Sequence, residues 1–282
     1  MKKVAIVGAG ISGLYLANEL NKNTEIDYKI FEKKDHLNLN EGYGIQLSVN
    51  SINLLNKIGF KNISASDVYY PTKVNFFQAN NIKKICEIDL KQFNNVNDRY
   101  TTLKRSTLIK FLIGNIPEEK IQFKADIQNI EYNEKIKISW NNKNESFDYI
   151  VIADGVFSKL KSQISNNHLN PIFNGNIALR ANLKQHEKDN ISVYMGSNFH
   201  YVTYPVNQKL EYNFVAIIKK KLTTKEIEDK NILNSETFIK SLKDFISQNS
   251  IINLESLANI KCFPVFVSTE LPTLKYQNTY LS

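Results

Sequence analysis

Three glycines near the start of the chain, Gly8, Gly10 and Gly13, have the spacing that most directly indicates chemistry. They follow an apolar segment at residues 4–7, and a second apolar segment ends at Glu32. A glycine-rich turn between a strand and a helix lets a pyrophosphate approach backbone N–H groups. An acidic residue about twenty residues further on can accept hydrogen bonds from a ribose. The pattern therefore predicts a dinucleotide site.

Each part of this turn has a predicted role. Gly8 permits the tight turn, Gly10 lets the pyrophosphate come close, and Gly13 lets the helix pack against the strand. The helix that starts at Ile11 and Ser12 offers free N–H donors and a partial positive charge to an anion. A secretory signal peptide and a turn without a ligand are the alternatives. The three glycines within the apolar stretch, the lack of a cleavage motif and the following second strand all favour the nucleotide site.

Composition limits the classes of protein to consider. The chain has 282 residues, of which 42% are hydrophobic and 23% charged, as in soluble globular proteins. Cys86 and Cys262 are far apart and the four histidines show no ligand spacing, so we predict no disulfide and no metal site, and we expect a cytoplasmic protein. The formal net charge is +8, but the lysines are scattered and no nucleic-acid-binding motif accompanies them. No apolar run is long enough for an integral membrane segment. Neither a nucleic acid nor a membrane is predicted as a partner.

Apolar periodicity predicts an α/β module followed by a sheet-rich one. Helices are predicted at residues 50–59, 105–113 and 235–246. Strands are predicted as a hairpin within 72–90, and at residues 135–140, 148–153, 176–181, 191–195, 201–206 and 212–218. We expect the first of the helices to be capped by Asn50 or Ser51 and to end at Gly59.

The strand at residues 148–153 is followed by Asp154 and Gly155. Its continuous apolar run is typical of a parallel strand that is buried on both faces. Open α/β sheets bind ligands at the carboxyl ends of such strands, so Asp154 is a candidate ligand-binding residue.

Together these segments resemble the FAD-dependent aromatic hydroxylases, the single-component monooxygenases typified by p-hydroxybenzoate, salicylate and 3-hydroxybenzoate hydroxylases. The segments that carry the resemblance are residues 8–13 with Glu32, 42–50, 103–108, 153–158, 177–180 and 200–206. The resemblance implies an α/β fold in which a Rossmann-like FAD-binding domain of the GR2 type carries an inserted, sheet-rich substrate domain. It divides the chain into an FAD-binding domain at residues 1–70 and 97–165, a substrate domain at 71–96 and 170–266, and the start of a returning FAD-domain strand at 267–282.

The resemblance also implies cofactors and reaction. FAD would be the bound cofactor, NADH or NADPH the visiting reductant, and O2 and a small aromatic or related ring the substrates. The implied cofactor-binding residues are Gly8, Gly10, Ile11, Ser12, Gly13, Glu32, Lys33, Gly44, Arg105, Asp154 and Gly155. The sequence does not choose between NADH and NADPH, and it does not name the substrate.

His200 and Tyr204 are the candidate catalytic residues that the resemblance implies. Residues four apart on a strand point to the same face, which permits the two side chains to share a cavity. Imidazole titrates near neutral pH, so His200 can take a proton from a substrate phenol. A purely structural histidine is an equal alternative. Arg180 could pair with a substrate carboxylate, but we favour an ion pair with a neighbouring acid.

Several positions depart from the family pattern. Tyr43 stands in place of the usual alanine and Val49 in place of proline, and Lys161 replaces an arginine, which keeps the charge but loses the bidentate fork. The printed sequence also stops where the family's Gly-Asp-Ala motif would begin. We therefore expect a C-terminally truncated hydroxylase with weakened FAD binding. The alternatives are a non-catalytic FAD-binding remnant, half of a split flavoprotein, and a quinone-biosynthesis-type hydroxylase. A homodimer or a complementing C-terminal fragment stays open as a partner, whereas a plain NAD dehydrogenase is disfavoured.

Overall fold

The computed structural model describes residues 1–39, 42–165, 170–183, 189–209, 211–268 and 273–282. The chain forms two compact units. The first comprises Met1–Leu39, Leu108–Ile172 and Phe266–Ser282, and the second comprises Asn40–Thr107 and Phe173–Val265.

The described elements are mainly strands. The first are β1 (Lys2–Val7), β2 (Ile26–Phe31), β3 (Gly44–Leu47), β4 (Val68–Tyr69), β5 (Lys73–Gln78), β6 (Lys84–Asp89), β7 (Thr101–Lys104), β8 (Ile121–Gln122) and β9 (Asn129–Tyr132). They are followed by β10 (Ile136–Trp140), β11 (Lys143–Phe147), β12 (Tyr149–Ile152), β13 (Ile172–Leu183), β14 (Ile191–Met195), β15 (Phe199–Pro205), β16 (Tyr212–Lys219), β17 (Leu257–Val267), β18 (Lys275–Tyr276) and β19 (Thr279–Leu281). The helices are α1 (Ile11–Leu20), α2 (Val49–Lys57), α3 (Arg105–Gly114), α4 (Lys159–Ser165), α5 (Thr224–Glu228), α6 (Lys230–Leu233) and α7 (Glu236–Asn249).

The first unit is built on a six-stranded sheet with the order β18-β19-β12-β1-β2-β8. The central strand β1 is parallel to both neighbours, with Val7 opposite Ile152 on one side and opposite Phe31 on the other. This register brings the carboxyl ends of β1, β2 and β12 to one edge of the sheet. The residues that follow these three strands therefore lie close together.

A second, three-stranded sheet with the order β11-β10-β9 completes the core of this unit. The ring of Phe31 meets Trp140 and Phe147 edge-on, with ring centroids 4.8 and 5.7 Å apart. Edge-to-face aromatic packing of this kind fixes the end of β2 firmly. Glu32, the next residue, thereby acquires a defined position.

The second unit is built on a seven-stranded sheet with the order β17-β13-β16-β15-β14-β5-β6. Its larger hydrophobic core includes Tyr201 and Phe214 of the sheet together with Leu242 and Ile246 of α7. A smaller apolar cluster, which includes Tyr204 of β15, is separate from this core. Strands β3, β7 and β4 form a small antiparallel sheet within the same unit. The pairing of β3 and β4 with β7 explains why residues 42–70 and 97–107 fall in this unit, although the sequence-based ranges placed them in the FAD-binding domain. The functional domain boundaries themselves stay a prediction.

The predicted α/β class, with a Rossmann-type module and a sheet-rich second module, is confirmed. One local expectation was wrong: α2 begins at Val49 and its N-cap residue is Ser48, so Asn50 and Ser51 lie inside the helix. Ser48 takes this position because its extended backbone, with φ −72° and ψ 165°, precedes the first helical turn. The glycine expected after the helix is present, and Gly59 has the left-handed φ of +94°.

The described residues provide neither a membrane-spanning helix nor a metal-binding cluster. None of their helices combines the length and the apolar character that crossing a bilayer requires. Within the same ranges, no three or more His, Cys, Asp or Glu side chains are grouped so that they could hold a metal ion. His168 and His186 lie outside the described residues.

Candidate functional site

The tight turn after β1 requires glycine at position 8. Gly8 has a φ of +105°, and a Cβ atom there would lie 2.5 Å from the carbonyl oxygen of Ala153 and 2.9 Å from the Cα of Asp154. Its N–H donates to the carbonyl oxygen of Phe31 over 2.8 Å. Backbone strain and steric overlap would both oppose a larger residue. The turn is thus held tightly between the ends of β2 and β12.

Gly13 and Gly10 differ in what surrounds them. A Cβ on Gly13 would lie 2.0 Å from the carbonyl oxygen of Gly8, so the close packing of α1 on β1 demands glycine there. Gly10 has an ordinary φ of −79°. A Cβ on Gly10 would meet only one atom, the carbonyl oxygen of Ala153 at 4.0 Å. The fold itself therefore does not need glycine at position 10, and the space beside it is available to a ligand.

The first turn of α1 presents an unblocked N-terminus. Gly10 is its N-cap, no side chain caps it, and no acidic residue lies in its first turn. The first intrahelical hydrogen bond runs from Leu14 N–H to the Gly10 carbonyl oxygen over 2.9 Å. The N–H groups of Ile11, Ser12 and Gly13 precede it and have no acceptor within the helix. With the positive end of the helix dipole, they favour an anion at this place.

Glu32 is buried beside the turn and its carboxylate is held by the backbone. Oε2 accepts a hydrogen bond from Ala9 N–H over 2.9 Å, and Oε1 accepts one from Lys34 N–H over 3.0 Å. A carboxylate oxygen can accept more than one hydrogen bond, so each keeps capacity for a ligand hydroxyl. The neighbouring Lys33 is exposed.

Asp154 supplies a buried acceptor that lacks a partner. It follows β12, is half-buried, and its Oδ1 is buried without a hydrogen-bond partner. Desolvation raises the pKa of Asp154, while a hydrogen bond with Ser158 and the charges of Lys161 and Lys33 act in the opposite direction. A buried acceptor left unsatisfied costs about 1–3 kcal/mol. Such a cost is typical of a group that awaits a ligand, here a hydroxyl or N–H donor.

These features together test whether a dinucleotide fits the first unit. The space at Gly10, the open N–H groups of α1, the carboxylate of Glu32 and the unpartnered oxygen of Asp154 all adjoin one turn. The space at Gly10 and the N–H groups of α1 match a pyrophosphate, the Glu32 carboxylate matches a ribose, and the Asp154 oxygen matches a further polar group. Gly155, with its left-handed φ of +88°, lets the chain turn directly after Asp154. The residues present fit a dinucleotide.

Two predicted cofactor-binding residues, Gly44 and Arg105, lie in the second unit. A Cβ on Gly44 would lie 2.7 Å from side-chain atoms of Asn213 and Val206 and 2.8 Å from the Tyr204 ring. Packing within this unit therefore accounts for glycine at 44. Arg105 begins α3, and its N–H donates to the Tyr43 carbonyl oxygen over 2.8 Å. The roles of Gly44 and Arg105 towards a cofactor stay predictions.

Tyr43 stands where the aromatic hydroxylases have alanine, and its side chain packs and hydrogen-bonds within the second unit. It is buried, its hydroxyl donates to the Asn259 carbonyl oxygen over 3.1 Å, and its ring meets Phe263 edge-on.

His200 and Tyr204 occupy one face of β15, but in different environments. His200 lies opposite Met195 and Ile217 of the adjacent strands and is exposed as a whole. Protein atoms around its ring still desolvate it and lower its pKa, which favours the neutral imidazole. Tyr204 is buried, and desolvation raises its pKa. Four residues of a strand span ~13 Å. Their sharing of one cavity stays a prediction.

Sequence reasoning missed Gln46 and Tyr100, which adjoin Tyr204. The Tyr100 hydroxyl donates to Gln46 Oε1 over 2.9 Å. Gln46 acts to lower the pKa of the Tyr204 phenol, against the larger effect of desolvation. Gln46 belongs to residues 42–50, one of the segments that carry the resemblance to the aromatic hydroxylases. The available signal was the alternation of side chains along β3, which places Gly44 and Gln46 on the same face of the strand.

The first unit carries a Rossmann-type dinucleotide turn, and the sheet-rich second unit carries a buried tyrosine and a histidine on one strand. Residues 6–40 match the NAD(P)-binding Rossmann-like domain family. The resemblance inferred from the motifs is confirmed by the relatives and solved structures to which the chain is similar.

Two curated relatives and two solved structures illustrate the similarity. Salicylate hydroxylase of Pseudomonas putida is 24% identical over 237 residues, which cover 76% of this chain and 54% of the relative. FAD-dependent monooxygenase dpfgE of Gibberella zeae is 25% identical over 170 residues, which cover 57% of this chain and 36% of the relative. Klebsiella pneumoniae HpxO complexed with FAD and uric acid matches with a TM-score of 0.81 and 14% identity, over 99% of this chain and 72% of that one. A salicylate hydroxylase substrate complex matches with a TM-score of 0.76 and 16% identity, over the same 99% and 72%. The chain thus spans between 36% and 54% of the length of these two curated relatives.

Proposed function

We propose that the chain binds FAD and acts as a monooxygenase that hydroxylates an aromatic or related ring with NADH or NADPH and O2. The observation that carries the proposal is the buried, unpartnered Oδ1 of Asp154 beside the Gly8–Gly13 turn and the Glu32 carboxylate. A turn without a ligand would have no use for this costly acceptor. The similarity to FAD-dependent monooxygenases supports the choice of FAD as the dinucleotide.

The residues of the first unit would hold the cofactor. The N–H groups of Ile11, Ser12 and Gly13 bind the pyrophosphate, Glu32 accepts hydrogen bonds from a ribose, and Asp154 accepts one from a further hydroxyl or N–H. Lys33 adds a positive charge near the carboxylates. Held by these residues, FAD would supply the redox chemistry: acceptance of a hydride from NAD(P)H, and reaction with O2 that places one oxygen atom on the ring and releases the other as water.

The residues of the second unit would act on the ring. The lowered pKa of His200 keeps its imidazole neutral near pH 7, so it can accept a proton from a substrate phenol. Removal of that proton makes the ring a better nucleophile. Tyr204 keeps its proton and contacts the substrate through its hydroxyl. Cytoplasmic location and a homodimer or complementing fragment as partner also remain proposals.

The test starts with the purified 282-residue chain, titrated with FAD and followed by its visible absorption spectrum. We expect a stoichiometric flavin band, loss of it in Asp154→Asn, and wild-type binding in Asp35→Asn. Asp35 is an exposed carboxylate of the same unit and is therefore the matched control.

The loaded chain is then mixed with NADH or NADPH and with salicylate or 3-hydroxybenzoate, and the products are analysed by mass spectrometry for one added oxygen atom. A protein that binds no flavin would overturn the cofactor proposal. A protein that binds flavin but neither oxidises NAD(P)H nor adds oxygen would contradict the monooxygenase and leave a flavin-binding function.

A further inference from the structure

The side-chain oxygen of Asn182 is a buried acceptor that the second unit leaves without a partner. Asn182 lies near the end of β13, and its Oδ1 is buried without a hydrogen-bond partner among the described residues. The residue as a whole is half-buried, so protein does not enclose it fully. A buried acceptor that makes no hydrogen bond destabilises a fold. Its presence therefore needs an explanation beyond packing.

Strand pairing places Asn182 on the face of the seven-stranded sheet that carries Tyr204. Asn182 is opposite Asn213 of β16, and Asn213 is opposite Tyr204 of β15. Side chains of directly opposed residues in antiparallel strands project to the same face. Because neighbouring strands lie about 4.8 Å apart, the backbones at Asn182 and Tyr204 are separated by ~10 Å. Both side chains are thus within reach of one substituted ring.

The segment that contains β3 meets the two asparagines of this row differently. The Gly44 N–H donates to Asn213 Oδ1 over 2.6 Å, so this buried oxygen is satisfied. A Cβ on Gly42, just before β3, would lie 2.9 Å from Asn182 Nδ2 but 3.7 Å from Asn182 Oδ1. The segment therefore approaches the nitrogen side of the Asn182 amide most closely. The oxygen is the part of the amide that remains available to a ligand.

The next row of residues on the same face leaves room for a ring. Arg180, Val215 and Val202 are opposite one another in β13, β16 and β15. All three are half-buried, so the described part of the chain does not cover this row completely. The positive charge of Arg180, two residues before Asn182, disfavours a cationic donor such as an ammonium group. A ligand donor that suits Asn182 is therefore a neutral N–H or O–H.

We propose that Asn182 binds the ring substrate by accepting, at Oδ1, a hydrogen bond from a neutral donor on the ring, such as an amide N–H or a hydroxyl. The site then selects rings that carry this donor in addition to the group that reacts. The inference rests on the proposed function, since it takes the Tyr204 face of the second unit to hold the ring. It goes further by assigning a role to Asn182 and a chemical class to the group that Asn182 recognises.

The unsatisfied oxygen is tested without any ligand in Asn182→Leu, which introduces a side chain of similar shape that has no polar atoms. Because the lost oxygen has no partner, the urea midpoint of the FAD-free variant should equal or exceed that of the wild type. Asn213→Leu is the matched comparison, and its midpoint should fall because it removes the acceptor of the Gly44 N–H. A comparable fall in Asn182→Leu would mean that the oxygen is already satisfied, for example by a trapped water, and would overturn the proposal.

The ligand class is tested with two probes of the same shape, 3-hydroxybenzamide and 3-hydroxyacetophenone. The first carries an NH2 group where the second carries a methyl group, and both keep the ring hydroxyl and the carbonyl. Isothermal titration calorimetry of the FAD-loaded wild type should show about tenfold tighter binding of the amide, as expected for one hydrogen bond. This preference should disappear in Asn182→Leu and persist in Asn231→Leu, which changes an exposed asparagine of the same unit.

The outcomes separate this proposal from the proposed function. If the wild type hydroxylates 3-hydroxybenzoate but binds the two probes equally well or not at all, the role of Asn182 is overturned and the monooxygenase stands. The same conclusion follows if the preference for the amide survives in Asn182→Leu. If the FAD-loaded wild type binds neither probe and hydroxylates no ring, the proposed function fails and the assignment of Asn182 fails with it.

Discussion

Replacing Gly10 by alanine should separate cofactor binding from folding, because the turn uses its glycines for different purposes. The nearest atom to a Cβ at position 10 would be 4.0 Å away, whereas a Cβ at position 13 would lie 2.0 Å from a backbone oxygen. Gly13→Ala must move backbone and should cost about 1–3 kcal/mol of unfolding free energy. Gly10→Ala loses only the modest preference of an N-cap for glycine, about 1 kcal/mol or less.

The effect on FAD should follow the opposite order. A methyl group at position 10 would occupy the space that the pyrophosphate needs to reach the α1 N–H groups. Loss of one or two charge-assisted hydrogen bonds, each about 1.5–3 kcal/mol, corresponds to at least a tenfold loss of affinity. Urea unfolding followed by circular dichroism measures stability, and quenching of flavin fluorescence measures affinity.

Gly114→Ala is the matched control, since no atom lies within 4 Å of a Cβ there and its φ is not left-handed. Alanine at this helical position should stabilise the chain slightly, by about 0.5–1 kcal/mol, and leave FAD affinity unchanged. If Gly10→Ala unfolds as readily as Gly13→Ala, or binds FAD as tightly as the wild type, the division of roles between these glycines is wrong.

Three further predictions follow from single side chains. Burial raises the pKa of Asp154 above its ordinary 3.8, so the folded chain binds this proton more tightly than the unfolded chain and loses stability as pH rises from 3.8 through the raised value. Asp154→Asn should remove this loss, which is measured by urea unfolding of the flavin-free chain across that pH range. The reasoning is wrong if the unfolding free energies of variant and wild type change with pH in the same way. Desolvation lowers the pKa of His200 below 6.5. Turnover should therefore fall at acid pH, with a midpoint below pH 6.5. If the turnover of His200→Gln falls in the same way at acid pH, His200 is not the origin of the fall. Cys86 is exposed, whereas Cys262 is buried with a pKa raised to about 12. A chromogenic aromatic disulfide should thus titrate one thiol in the native chain and both after denaturation, and two native thiols would show that the core around Cys262 opens.

The parallel strands of the first unit could be predicted because their signals are local. An apolar run, a glycine turn and a following acid lie within thirty or so residues of one another, and each element is specified by its own sequence. Asp154 is distant along the chain, yet its place after a continuous apolar strand predicts that it reaches the same sheet edge. Register supplies what the sequence does not show, since the pairing of Val7 with Ile152 and with Phe31 decides that the three strand ends meet.

The surroundings of Tyr204 could not be predicted in the same way, because they depend on contacts between distant segments. Residues 46, 100 and 204 come from three strands or their ends, and no local pattern relates them. The predicted N-cap of α2 was wrong for a simpler reason, since Ser48, Asn50 and Ser51 are all residue types that favour an N-cap. The pairing of β3 with β7, which extends to Leu47, decides where the helix begins.

The sequence alone does not separate a glycine that ligand binding requires from one that packing requires. Gly10 and Gly44 both lie in segments that resemble cofactor-binding sequences, and the sequence alone gives them equal claims. The structure separates them, because a Cβ on Gly44 would overlap Tyr204, Val206 and Asn213, whereas a Cβ on Gly10 would meet almost nothing. A glycine that its own protein excludes from substitution needs no ligand to explain it. Gly10 meets no such obstacle and borders the open N–H groups of α1, so we propose that ligand binding, and not folding, sets glycine at this position.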